Sequence, residues 1–108
     1  MGDPKLLQEM GVRIADRRRF IALSQEELAE KADVSPQLLS TAERGTKALR
    51  PENLLKISKA LGISVDYLLT GTTNQHDLGF ISEKLSKLSS EKLRVIERII
   101  IDCIELSK

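Results

Sequence analysis

The chain has 108 residues, of which 41% are hydrophobic and 31% charged, and its formal net charge is +1 at pH 7. This length suits one domain, or one domain with an appendage, and the composition excludes a disordered chain. A single cysteine excludes an internal disulfide, and no apolar run approaches the roughly 20 residues of a membrane span, so a cytoplasmic protein is expected.

The first predicted helix runs from Lys5 to about Leu23, where apolar residues recur at mostly helical spacing. Gly11 lies inside this pattern and weakens it, so the helix proper is expected to begin near that residue. Aromatic residues make up only 3% of the chain, which favours helices over sheets. Residues 13–19 hold four arginines against one aspartate, a local charge of +3.

The second predicted helix runs from Gln25 to about Ala32 and has a strong start signal. Ser24 is a good N-cap, and Glu27 three residues later completes the capping-box arrangement. Only residues 33–35 separate this helix from the next one. So short a connection favours two helices that cross at a steep angle, as in a helix-turn-helix motif.

The third predicted helix runs from about Pro36 to Arg44. Ser35 is a suitable N-cap, the proline occupies the first helical position, and Gly45 is a stop signal. Residues 44–50 hold three basic side chains and no acidic one. Charge alone is consistent with ordinary solvated surface, and it becomes informative only if the fold brings both basic clusters to one side.

Two further helices follow. The fourth begins at Pro51 and ends at Gly62, and its apolar residues predict one buried face. The fifth, from Val65 to Leu69, is capped by Ser64 and stops before Gly71. The first domain is accordingly placed at residues 5–71.

Residues 72–77 are polar and are predicted to form a linker, whereas residues 78–108 are strongly helical. A second helix of this tail starts at Ser89 or Ser90. Its apolar surface exceeds what one neighbouring helix would cover, which usually marks an interface. The alternative is a monomer whose tail covers its own domain. The predicted dimerisation residues are Leu93, Ile96, Ile99, Ile100, Cys103 and Ile104.

No sequence motif indicates catalysis. Nucleophile elbows, phosphate-binding glycine loops and zinc-ligand spacings are all missing from the sequence. His76 is expected to face solvent, and Cys103 to pack as a small apolar residue. We therefore expect no enzyme activity, no catalytic residue, no metal, no cofactor, no small-molecule ligand and no membrane association.

The segments SQEELAEKADVS, ERG and RPENLLKISKALGISVDYLLTG, in this order and spacing, resemble the Cro/CI-type (XRE) helix-turn-helix family of phage and bacterial repressors. The resemblance covers about residues 11–71. It implies an all-α fold, in which a five-helix repressor-like DNA-binding domain precedes the C-terminal helical segment. It also implies that the third helix lies in the major groove of double-stranded DNA.

The outward face of the third helix is expected to read bases. Gln37 is the best candidate, because its amide can bond N6 and N7 of adenine together. The predicted base-reading residues are Pro36, Gln37, Ser40 and Thr41. By resemblance to the family, the predicted phosphate contacts are Gln25, Arg44, Lys47 and Arg50, with Arg17 and Arg19 as weaker candidates. Arg18 and Glu43 match a partly buried ion pair of some family members, which would join helix 1 to the end of helix 3.

Three positions depart from the family pattern. Asp33 stands where glycine is common, and aspartate tolerates the left-handed conformation better than most residues. Ala42 replaces a large apolar residue, so another side chain, with Leu38 as the candidate, must fill that space. Pro36 removes a hydrogen-bonding side chain from the first reading position, which predicts modest direct readout.

The leading interpretation is a sequence-specific transcriptional regulator, of repressor type, that binds a near-palindromic operator as a homodimer. The rival is a helix-turn-helix module that binds protein, such as an adaptor or an antitoxin component. A protein-binding face would carry exposed aromatic residues or methionine. The outer face predicted for the third helix is polar and basic instead, which favours DNA.

Overall fold

The computed structural model describes residues 3–108, and every regular element within that range is an α-helix. The seven helices in this range are α1 (Pro4–Phe20), α2 (Gln25–Ala32), α3 (Pro36–Arg44), α4 (Pro51–Leu61), α5 (Val65–Thr70), α6 (Gln75–Leu85) and α7 (Ser90–Leu106). The chain divides into two compact units, of which the first ends at Asp77 and the second comprises residues 78–108. The prediction of an all-α fold that opens with five helices is confirmed.

Serine caps determine where three short helices of the first unit begin. Ser24, Ser35 and Ser64 each accept a hydrogen bond of 3.0 Å from the backbone N–H three residues later. At the first of these, the Glu27 carboxylate accepts in return from the Ser24 backbone N–H at 2.9 Å. Each cap satisfies a donor that the helix leaves unpaired and is worth about 1 kcal/mol. Helices α2 and α3 therefore begin at the predicted residues.

Helices α1 to α4 are each followed by a residue in the left-handed conformation, as α5 is by Gly71. Ala22, Asp33, Gly45 and Gly62 have φ between 58° and 69°. In each case the next backbone N–H donates to the carbonyl five residues before it, which is the Schellman arrangement. Glycine adopts this conformation freely, whereas alanine and aspartate do so with strain. The turn at Ala22 also explains why α1 ends at Phe20, earlier than predicted.

Replacing Ala22 by glycine is expected to stabilise the protein. The substitution removes a steric cost of roughly 1–2 kcal/mol at φ 61°, partly offset by the greater freedom of glycine in the unfolded chain. We expect a net gain of about 1 kcal/mol, measured as the free energy of unfolding in urea. Ala48→Gly, at another exposed loop position without a positive φ, is the control and should not gain. Equal or lower stability of Ala22→Gly would show that the turn is unstrained.

The first unit has one hydrophobic core to which each of its five helices contributes. The fully buried large side chains are Ile14 of α1, Leu28 of α2, Leu39 of α3, Ile57 and Leu61 of α4, and Leu68 of α5. Burial of such a side chain contributes roughly 1.5–3 kcal/mol. Helix α3 is thus anchored to the core by Leu39, and its opposite face is exposed to solvent.

Gly11 is the point of closest approach between α1 and α3. Helix α1 continues through this residue instead of beginning near it. A Cβ atom at Gly11 would lie 2.5 Å from the backbone oxygen of Glu43 and 2.6 Å from that of Ala42. The lack of a side chain on Gly11 therefore lets the end of α3 pack directly on α1. Leu38, the candidate to fill the space beside Ala42, is half-buried and packs against the core.

The predicted linker over residues 72–77 differs from the structure, because α6 begins at Gln75. Asn74 caps this helix, and Asp77, which is only 5% exposed, accepts from the backbone N–H of Asn74 at 3.0 Å. The Asp77 carboxylate also accepts from the backbone N–H and the hydroxyl of Ser64, each at 2.7 Å. Burial alone would raise the pKa of Asp77, but these hydrogen bonds and nearby His76 hold it below its usual value.

The second unit carries little buried surface of its own. No residue of α7 is buried, and only Leu93 and Ile96 of its apolar positions are half-buried. Large apolar side chains of the second unit that stay exposed are Leu78, Ile81, Val95, Ile99, Ile100, Ile101, Ile104 and Leu106. Within residues 3–108, no helix is both long enough and apolar enough to cross a membrane.

Candidate nucleic-acid interface

Helix α3 presents one anchored face and one outward face. Leu39 and Ala42 are buried and hold the helix against the core. On the other side Gln37 and Pro36 are exposed, while Ser40 and Thr41 are half-buried. All four predicted base-reading residues therefore lie away from the helix face that packs on the core.

A groove of about 340 Å³ runs beside α3, between this helix and the segment that leads into α4. It is lined by Ser35, Gln37, Leu38, Thr41, Ala42, Lys47, Ala48, Leu49, Arg50 and Asn53. The structure thus brings two predicted base readers, Gln37 and Thr41, together with two predicted phosphate contacts, Lys47 and Arg50. Neither basic side chain forms an ion pair with a carboxylate in the described part of the chain. The groove therefore offers free cationic groups to an anionic ligand.

Asn53 is a groove residue that the sequence did not single out. It lies in the first turn of α4 and is half-buried, and its side-chain amide makes no hydrogen bond within residues 3–108. Helix α4 also lacks a side-chain cap at its N-terminal residue, Arg50. The signal that would have indicated Asn53 was its position one turn after the basic loop, on a helix whose dipole favours anions.

Arg44 does not point away from α3 but folds back along it. Its Nη1 atom donates a hydrogen bond to the hydroxyl of Ser40 at 2.5 Å. Both side chains lie on the outward side of the helix, with Arg44 exposed and Ser40 half-buried. The Ser40 hydroxyl is therefore engaged, and Gln37 and Thr41 are left as the uncommitted polar groups of this face.

Three elements meet at the carboxylate of Glu43, at the end of α3. Arg18 of α1 donates from Nε at 2.7 Å and from its second terminal nitrogen at 3.0 Å. Gln25, the first residue of α2, donates from Nε2 to Oε1 at 2.9 Å. The side chains of Arg18 and Glu43 are only 11% and 6% exposed, and the hydrogen bond to Glu43 raises the arginine pKa. The predicted ion pair is present, and it includes a third partner.

The arginines of α1 have different surroundings from one another. Arg17 donates from Nε to the carbonyl of Leu61 at 3.0 Å, and its guanidinium lies 5.1 Å from the ring centroid of Phe20. This contact caps the C-terminal end of α4, so the structure gives Arg17 a packing contact, and its phosphate contact stays a prediction. Arg19 is exposed and lies 3.5 Å from Asp16. Arg19 is not among the groove residues.

The predicted dimerisation residues all lie on α7, in the second unit. Leu93 and Ile96 are half-buried, whereas Ile99, Ile100, Cys103 and Ile104 are exposed. The Cys103 thiol is free. Among the described residues no group of three or more potential ligands has the arrangement of a metal site.

The family model described as Helix-turn-helix matches residues 21–68. The chain is 40% identical over 75 residues to the "Repressor protein C2" of Salmonella phage P22, which covers 69% of this chain and 35% of that protein. It is 32% identical over 88 residues to the HTH-type transcriptional regulator ImmR of Bacillus subtilis (strain 168), covering 76% of this chain and 69% of that protein.

A similar solved structure is the crystal structure of the P22 c2 repressor protein in complex with synthetic operator 9T in the presence of Tl⁺. The TM-score is 0.57 and the identity 43%, and the match covers 60% of this chain and 98% of that chain. The chain spans between 35% and 63% of the lengths of three curated relatives, the phage P22 repressor among them.

Proposed function

We propose, because this chain belongs to the Cro/CI-type helix-turn-helix family, that it is a sequence-specific DNA-binding transcriptional regulator of repressor type. The observation that carries the proposal is the groove beside α3. It combines uncommitted amide and hydroxyl groups with unpaired basic side chains. The first kind of group reads base edges, and the second binds the phosphate backbone.

Helix α3 suits insertion into the major groove of B-DNA. That groove is about 12 Å wide and admits one α-helix. The helix has nine residues and no aromatic or methionine side chain on its exposed face, which disfavours a protein partner at this surface. Gln37 is exposed and uncommitted, so its amide is available to an adenine edge, while Thr41 is placed one turn later on the same face. We assign base reading chiefly to Gln37, supported by Thr41, Ser40 and Pro36.

Phosphate contacts are assigned to both flanks of α3. Lys47, Arg50 and Asn53 line the groove on one flank, next to the uncapped start of α4. Gln25 lies at the start of α2, where a helix N-terminus favours an anion. Arg44 extends along α3 itself, whereas Arg19 and Arg17 are outlying candidates, the latter with its Nε already bonded to the Leu61 carbonyl.

The second unit is proposed to pair two copies of the chain. Its large apolar side chains, Ile99, Ile100 and Ile104 among them, stay exposed in the single chain, and exposed apolar surface of this kind usually marks an interface. A two-fold dimer presents two copies of α3 to successive major grooves, about one helical turn of DNA apart. The proposed ligand is therefore a near-palindromic operator with two half-sites. The proposed role is binding, without a catalytic step.

Selection of bound sites from a pool of random double-stranded DNA tests this function. We expect enrichment of two inverted half-sites with centres about 10–11 base pairs apart. The distance between the half-sites reports how the dimer places its two α3 helices, and the half-site sequence reports which bases α3 reads. Recovery of a random pool after several rounds would reject sequence-specific binding, and enrichment of a single half-site would reject the dimer.

Replacing Gln37 by alanine is expected to relax base preference without removing DNA binding. Loss of one bidentate base contact costs roughly 1–3 kcal/mol of discrimination, which is about 5–150-fold. The measurement compares dissociation constants for the selected operator, for a single-base variant of it and for unrelated DNA. Gln75→Ala, at an exposed position on α6, is the matched control. An equal loss of affinity on all three DNAs would show that Gln37 does not read bases.

A further inference from the structure

We infer that Glu43 is a positioning residue for DNA binding, which orients the amide of Gln25 toward a phosphate of the operator. The inference rests on the proposed function and concerns how the flank of α3 near α2 holds the DNA backbone. Glu43 itself is nearly inaccessible, with a side chain 6% exposed, so it reaches DNA only through its partners.

The chemistry of the contact fixes which end of the Gln25 amide faces inward. An ionised carboxylate only accepts hydrogen bonds, so Gln25 must turn its NH₂ group to Glu43 and cannot turn its carbonyl. The Nε2–Oε1 distance of 2.9 Å agrees with this orientation. The same carboxylate accepts two hydrogen bonds from Arg18, at 2.7 and 3.0 Å, which hold it in place. Arg18 is fixed in turn by donating to the Leu23 carbonyl at 2.9 Å.

The remaining N–H of Gln25 is therefore presented in a fixed direction. An NH₂ group has two donors, and the bond to Glu43 occupies one of them. Gln25 is only half-buried and is the first residue of α2, where unpaired backbone N–H groups and the helix dipole attract an anion. A phosphate at this terminus would meet a donor whose side-chain rotation is already restricted in the free protein. Binding then loses less side-chain entropy than it would with a mobile glutamine.

Glu43 thereby links the helix that reads bases to the phosphate contact proposed for Gln25. It is on α3, which carries the base-reading residues, and it holds a side chain of α2. The backbone oxygen of Glu43 also contacts α1 at Gly11, so the carboxylate and its helix are held from the same side. A shift at the end of α3 would move the Gln25 donor as well.

A double-mutant cycle on the selected operator tests the inference, with Gln25→Ala, Glu43→Gln and the double variant. The carboxamide of Glu43→Gln keeps the shape but cannot accept from Arg18 at both positions and from Gln25 as well. We expect Gln25→Ala to weaken binding to all DNA sequences by roughly tenfold. Glu43→Gln should weaken it roughly threefold to tenfold in the wild-type background and less than about twofold in the Gln25→Ala background. Equal factors in both backgrounds would overturn the inference, because Glu43 would then act through the fold alone.

A second measurement on the wild-type protein covers the case in which Glu43→Gln does not fold. The side-chain amide of Gln25 should be as ordered as the backbone in the free protein, by NMR order parameters of its ¹⁵N nucleus. A freely rotating amide would overturn the inference. If the wild type binds DNA but Gln25→Ala does not weaken binding, only this inference fails. If the wild type does not bind DNA, the proposed function fails.

Discussion

The variant Gly11→Ala is expected to lose about 2 kcal/mol of unfolding free energy and most of its DNA affinity, although alanine is the better helix former. A helix-interior alanine gains about 1 kcal/mol over glycine. The added Cβ would lie within 2.6 Å of two backbone oxygens of α3, which belong to Ala42 and Glu43. Backbone atoms cannot rotate away, so α3 must shift, and overpacking of this kind costs about 3 kcal/mol.

The matched control for this variant is Gly79→Ala. Gly79 also lies within a helix, α6, but a Cβ atom built there meets no atom within 4 Å. Gly79→Ala should therefore gain up to about 1 kcal/mol. Urea denaturation of both variants, together with their dissociation constants for the selected operator, makes the comparison. If Gly11→Ala gained stability as Gly79→Ala does, then α1 and α3 would not be packed as closely as the structure shows.

The variant Ile100→Glu is expected to give monomers with operator affinity reduced by at least about 100-fold. Ile100 is 47% exposed in the single chain and lies in the proposed pairing surface of α7. A charge placed in that surface would be buried by pairing without a partner, which costs several kcal/mol. Each monomer would then bind its half-site alone, and the 10²–10⁴-fold gain from linking two sites would be lost.

Sedimentation equilibrium and operator titration measure this effect. Arg98→Glu introduces the same residue on the polar side of α7, where Arg98 lies 3.6 Å from Asp102 and is well exposed. This control should remain dimeric. A wild-type chain that sediments as a monomer would contradict pairing through α7, and the alternative of a tail that covers its own domain would then account for the apolar residues.

Helix starts were predictable from the sequence because the signals are local. A serine cap and the first-turn residues act within four positions of each other, so Ser24 and Ser35 predict the starts of α2 and α3. The helix ends at Gly45 and Gly62 were equally predictable, because a glycine stop signal is also local. The end of α1 was placed too late because Ala22 gives no such signal, although it adopts the same left-handed conformation as the glycines.

Roles that depend on contacts between distant residues were not predictable in the same way. Gly11 weakens a helix when judged by propensity, and only the packing of α3 shows why glycine is needed there. Arg17 was predicted as a weaker phosphate candidate, and no sequence pattern indicated its hydrogen bond to the carbonyl of Leu61, 44 positions away. Asp77 was predicted to be part of a polar linker. In the structure it is buried, and its carboxylate accepts hydrogen bonds from Ser64, the residue that caps α5.

The residues of the candidate site that lie on α3 were predictable from the sequence. Those that other helices bring to the site were less predictable. Gln37 and Thr41 follow from the outward face of α3, and Lys47 from the basic loop after it. Asn53 comes to the same groove from α4, and Gln25 meets Glu43 from the opposite flank. Sequence spacing contains no signal for the contact between Gln25 and Glu43, and it indicates Asn53 only by its position one turn after the basic loop.

The most direct test of the central claim is the salt dependence of binding to the selected operator. Arg44, Lys47 and Arg50 supply three cationic contacts in each chain, and a dimer supplies twice as many. Because each neutralised phosphate contributes about −0.9 to the slope, the logarithm of the association constant should fall with the logarithm of salt concentration with a slope of about −5. A slope near zero would contradict DNA binding through this surface.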